Sequence, residues 1–209
     1  MTSRTYEALL ADGPGLLALN ARAVRASVDI VSALTADDLD APTPCTGWTL
    51  RDLLEHMIVQ HHGFAAAARG GAADLACWQP RPLGPDPIAE YRAAAQDVLA
   101  AFAEPGVLTG RFALPEVREG AKLPAPLAIS FHFVDYVVHS WDVAKTLGAT
   151  VSFDPEVLTA ALLVARAVPG GDSRTAPGAA FAPEVQTGDD APGLDQVVAV
   201  LGRNPGWPH

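Results

Sequence analysis

The chain has 209 residues, the length of one domain or of one domain with an appendage. Apolar residues make up 49% and charged residues 18%, so a real core can be buried and disorder by composition is excluded. Lys+Arg 14 against Asp+Glu 24 leave a net charge of −10, which repels phosphate backbones and anionic lipid and argues against nucleic acid or a membrane as partner.

Pro14 opens a predicted helix to about Ala33, with Leu16, Leu17, Leu19, Val24, Val28 and Val31 on its apolar face. Thr35 to Trp48 reads as a structured loop punctuated by Pro42, Pro44 and Gly47. Thr49 is a predicted N-cap, with Asp52 in the first turn of a second helix that Gly70-Gly71 stops after Arg69. A proline-rich connection from Pro80 to Pro87 leads to a third helix, about Ile88 to Ala103. Glu104 to Pro126 is Gly- and Pro-punctuated and is left without assigned strands. The fourth long helix runs from Leu127 to about Leu147 with Gly148 as its C′ residue, and a fifth from Pro155 to about Val168. A Gly/Pro/Asp-rich tail follows, with one last short helix from Leu194. The expected fold is therefore all-α: a four-helix bundle over residues 1–150, and an irregular extension over 151–209 that packs on it and carries one or two extra helices.

Cys45 and Cys77 lie far apart without CxxC spacing, which predicts reduced thiols. The start of the chain lacks the basic-then-apolar pattern of a signal peptide, and no run approaches the roughly 18–20 apolar residues of a membrane span. A cytoplasmic protein is expected.

The fourth helix carries the chemistry. On a wheel of about 100° per residue, Ile129, Phe133, Tyr136, Ser140 and Val143 form the core stripe. His132, Asp135, His139 and Asp142 line up together on its flank. Neighbours three or four apart have Cβ atoms about 5–6 Å from one another, which lets Asp135 and His139 converge on one divalent ion. The second helix offers His56, His61 and His62. His61 points into the apolar stripe of Leu50, Leu54, Met57 and Phe64, and His56 lies on the flank; the wheel leaves both open as ligands. The plainer readings are an i,i+4 ion pair for Asp135 and His139, a solvated edge for Asp142, burial for Cys45, and packing for Trp48 and Trp141.

The segment Pro44-Cys45-Thr46-Gly47-Trp48-Thr49-Leu50-Arg51-Asp52-Leu53-Leu54-Glu55-His56 resembles the P-C-x-G-W-x-x-R-D-L-x-x-H motif of the mycothiol-dependent maleylpyruvate isomerase N-terminal family. Asp135-Tyr-Val-Val-His139-Ser-Trp-Asp142-Val-Ala is similar to its acid-x-x-x-H-x-W-D-L-A segment. Phe181-Ala-Pro-Glu-Val and Leu201-Gly202-Arg203-Asn204-Pro205 resemble an actinobacterial metal-binding branch.

The resemblance implies a DinB-like four-helix bundle with a metal between helices, held by His56, Asp135 and His139. It makes His61, His62 and His132 pocket-lining or supporting residues, and gives Asp142 the task of orienting a ligand histidine. Zinc is the first expectation, with nickel, iron and manganese also accepted by such donors. Mycothiol is the implied co-substrate, and a thiol-dependent transferase or isomerase acting on a small electrophile the implied activity. His61 or His132 would serve there as acid or base. Two departures stand out: Asp135 is one methylene shorter than the isomerase's glutamate, and only about sixty residues follow Gly148 where the isomerase has a separate C-terminal domain. The alternative is a metal-containing small-ligand binding or regulatory protein without turnover. A homodimer packed through bundle faces is compatible with either.

Overall fold

The computed structural model describes residues 5–117, 120–176, 179–188 and 190–208. Seven α-helices and one small hairpin are seen among them: α1 (Tyr6–Ala11), α2 (Gly13–Val31), α3 (Leu50–Ala68), α4 (Pro87–Phe102), β1 (Arg111–Ala113), β2 (Lys122–Pro124), α5 (Ala125–Thr146), α6 (Pro155–Ala167) and α7 (Gly193–Val200). The fold is all-α in class.

Local chemistry sets most helix starts. The Asp12 carboxylate accepts from the Gly15 N–H at 3.1 Å at the head of α2, and Asp86 does the same for Ala89 at 3.0 Å in α4. Thr49 and Asp52 form a reciprocal capping box at α3. At the other end of α5, Gly148 takes a φ of 63° and the Ala149 N–H donates to the Ala144 carbonyl at 2.8 Å.

The long helices form a ring. α2 pairs most extensively with α5 and α3 with α4; the two pairs meet along the α2–α4 and α3–α5 seams. Leu16, Leu19, Leu53, Leu54, Tyr91, Val98, Ile129, Phe133 and Val137 fill its axis. Val157, Ala161 and Val164 of α6 and Val197 and Val198 of α7 belong to the same apolar cluster, so the C-terminal segment and the bundle share one core. Arg174 holds the irregular tail by donating to the carbonyls of Pro169, Val168, Ala182 and Val200. Among the described residues, no helix is long and apolar enough to cross a membrane.

Three features depart from the sequence reading. α1, one and a half turns long, precedes α2 with only Asp12 between them. The stretch left unassigned holds the antiparallel hairpin, with Arg111 opposite Pro124 and Ala113 opposite Lys122. α5 has no wet flank: α2, α3, α6 and the hairpin enclose it, so His132, His139 and Asp142 are buried along with the apolar stripe.

Candidate metal centre

The α3–α5 seam brings His56, Asp135 and His139 together. Each offers a ligand atom, and these atoms all lie within 4.8 Å of one another. The Asp135 Oδ1 is 3.3 Å from the His139 Nε2, one helical turn away on α5. The His56 ring faces that of His139 edge-on, with centroids 5.2 Å apart. The capping box that starts α3 is what places His56, because it fixes where the helix leaves the preceding loop.

Asp142 is fully buried and accepts from the His139 Nδ1 at 2.9 Å, which turns Nε2 toward Asp135. Its other partner is Arg203, from the chain just after α7. The guanidinium donates to Asp142 Oδ2 at 3.1 Å and Oδ1 at 3.4 Å, and lies 3.3 Å from the Cys45 sulfur. Cys45 itself donates to Asp142 Oδ2 at 3.3 Å. Cys45, His139 and Asp142 form a second group of metal-type donors, but the Arg203 guanidinium already supplies a cation to two of its three members.

Electrostatics follow from this packing. Burial lowers the His56 pKa to about 4, helped by the neighbouring His139 charge, so its ring is neutral with a lone pair available. Burial opposes charge on Asp135 and Asp142, yet His139 beside the one and Arg203 beside the other hold both carboxylates below the ordinary range. Burial likewise opposes a charge on His139, but Asp135 and Asp142 on either side raise its pKa well above the usual imidazole value. Between these two carboxylates, the proton on His139 Nε2 is the one a bound divalent ion would displace.

The remaining sequence candidates lie elsewhere. His61 and His132 are completely buried and bond to each other, with 3.2 Å between His61 Nδ1 and His132 Nε2. His62 faces solvent near Asp97. Trp141 is packed in the interior, whereas Trp48 is 37% exposed and leans on His56 with ring centroids 5.0 Å apart. Cys45 and Arg203 joined the site without a periodic signal. So did Glu116, in the loop after β1: it accepts from Gln60 at 2.8 Å, four residues beyond His56 on α3. Burial, with the Asp135 charge nearby, pushes the Glu116 carboxyl up.

Burial depresses the His61 pKa well below 6.5 and takes that of His132 to about 3, so both are neutral in the fold. The unfolded chain binds a proton at each below about pH 6.5 and the fold does not, so stability rises with pH in that range and falls on acidification. Replacing His61 with Asn keeps a donor where Nδ1 sits and removes one titration. The stability measured by urea unfolding between pH 6 and 5 should then fall less steeply, by about 1.4 kcal/mol per pH unit. An unchanged slope would show that His61 is protonated inside the fold.

A family model described as the mycothiol maleylpyruvate isomerase N-terminal domain matches residues 21–144. The chain belongs to this family. The match spans most of α2 through nearly all of α5, and so contains His56, Asp135, His139 and Asp142; Arg203 lies beyond it. Two curated proteins of Mycobacterium tuberculosis, the uncharacterised Rv0738 and MT0763, are each 33% identical over 187 residues, covering 87% of this chain and 94% of theirs. The crystal structure of the mycothiol-dependent maleylpyruvate isomerase superposes with a TM-score of 0.56 at 16% identity, covering 79% of this chain and 70% of the other. A histidine-to-alanine mutant of that enzyme gives 0.60 at 15% identity, covering 88% and 77%. At such identities these two structures establish the shared fold.

Proposed function

We propose that this member of the mycothiol maleylpyruvate isomerase N-terminal domain family is a metal-dependent enzyme that uses a low-molecular-weight thiol to transfer to, or isomerise, a small electrophilic substrate. The gathering of ligand atoms of His56, Asp135 and His139 within 4.8 Å of one another is the observation that carries this reading. The donor set fits a divalent ion, zinc first: two imidazole nitrogens and one carboxylate, with positions left for a thiol, water or substrate. A divalent ion held there would supply Lewis acidity, lowering the pKa of a thiol or polarising a carbonyl brought to its open side.

The chain's own residues prepare that position. His56 stays neutral, and Asp142 directs the His139 Nε2 toward the ion by holding Nδ1. Arg203 keeps Asp142 ionised and in place. Trp48 supplies an exposed aromatic face beside His56 on which an apolar part of a substrate could rest. Membership of the mycothiol maleylpyruvate isomerase N-terminal domain family supports mycothiol as the thiol.

The test is metal content by elemental analysis of untagged protein, with His56→Ala and His139→Ala alongside, followed by thiol-consumption assays against a panel of electrophiles. About one equivalent of a transition metal, lost in both folded variants, and thiol-dependent turnover abolished by chelation are expected. Turnover indifferent to chelation would reject the mechanism; saturable ligand binding without product would favour a binding protein instead.

A further inference from the structure

Beside the proposed ligands, a second polar cluster sits in the apolar core. Asn20 of α2, His61 of α3 and His132 of α5 are each at most 1% exposed. His132 Nδ1 lies 2.7 Å from the Asn20 Oδ1, and His132 Nε2 lies 3.2 Å from the His61 Nδ1. A carboxamide oxygen only accepts, so with Oδ1 toward it His132 donates from Nδ1, accepts at Nε2, and receives its bond from His61. His61 also stacks on Tyr136, with ring centroids 3.9 Å apart. The Tyr136 hydroxyl donates to the backbone carbonyl of Met57, the residue after His56.

These bonds join the same two helices that carry the metal donors. On α5, His132 and Tyr136 bracket Asp135; on α3, Met57 is the residue after His56 and His61 lies little more than one turn beyond it. The arrangement is not what stability alone selects. Among the described residues, His61 Nε2 and Asn20 Nδ2 are buried with no hydrogen-bond partner, a penalty that apolar side chains of similar shape would avoid. We propose that His61, His132 and Tyr136 are positioning residues of the metal centre, a cross-link that sets the rotation and spacing of α3 against α5 and so holds His56 at chelating distance from Asp135 and His139. This inference rests on the metal reading given above.

The experiment uses the full chain and two probes, zinc affinity by competition with a chromophoric chelator and the visible spectrum of the cobalt-loaded protein. His61→Leu should weaken zinc binding about tenfold or more and alter the cobalt spectrum. His61→Asn, whose NH₂ branches from Cγ where Nδ1 does, should restore most of the affinity. Tyr136→Phe removes only a hydroxyl and should weaken zinc several-fold, which keeps the test valid should His61→Leu fail to fold. Variants that melt earlier yet bind zinc and show the cobalt spectrum of the native chain, measured well below melting, would overturn the positioning role. A native chain that takes up neither ion would overturn the metal reading itself.

Discussion

Replacing Asp142 with Ala should lower stability by about 3–5 kcal/mol, because it leaves the buried Arg203 guanidinium without its counter-charge. Arg203 is 9% exposed and Asp142 fully enclosed, so water cannot take over the lost contacts. For a domain of this size the melting temperature should drop by roughly 10 °C. The same change frees the His139 Nδ1 and should weaken metal uptake, since removing the partner that orients a ligand histidine typically costs about 10–100-fold in affinity. A double-mutant cycle separates the two effects. Adding Arg203→Met to the Asp142→Ala chain removes the stranded charge and should recover part of the stability, but none of the metal affinity. Equal losses in the single and double variants would show that the unpaired charge is not the cause.

Gly202→Ala should be nearly as damaging, although Gly202 contributes no side chain. Its φ is 82°, the left-handed region, and an added Cβ would lie 2.5 Å from the Ala182 carbonyl oxygen. That contact cannot be relieved by turning a flexible side chain, because the carbonyl is backbone. The left-handed conformation costs about 1–2 kcal/mol for a residue with a Cβ, and forcing apart a packed segment roughly 1–3 kcal/mol more. The 181–182 segment or the 202–203 turn must move, and the latter carries Arg203. Faster proteolysis of the tail and weaker metal binding should therefore accompany the lower melting point. A variant that melts with the native chain would place Gly202 in a region able to relax.

The long helices were legible because their signals are local. Pro14, Thr49, Pro87 and Pro155 mark starts that the structure keeps to within a residue or two, and Gly70 and Gly148 mark ends. α1 escaped because six residues are too few to display a 3.6-residue period, and the hairpin because three-residue strands barely display alternation. The wheel placed Asp135, His139 and Asp142 on one line of α5, but a wheel describes one helix and not what covers it; the counter-charge of the buried Asp142 comes from Arg203, sixty-one residues away. His56 and His61 show the same limit. Both sit on α3, and only the position of α5 reveals that one meets Asp135 while the other meets His132. Arg203 and Glu116 come from irregular backbone, where no period exists to be read.

The ring order of the bundle has a consequence for how the chain is made. α2 finds its principal neighbours in α5 and α4 and not in α3, the next long helix to be synthesised. Its apolar face, with Leu16, Leu19 and Val24, is not fully covered until Ala125 and the residues after it have left the ribosome. Closing that wide loop delays the productive contacts and slows folding relative to a bundle of consecutive hairpins. During that interval the nascent chain exposes greasy surface, which makes it a natural client for holding chaperones and prone to clumping when overproduced.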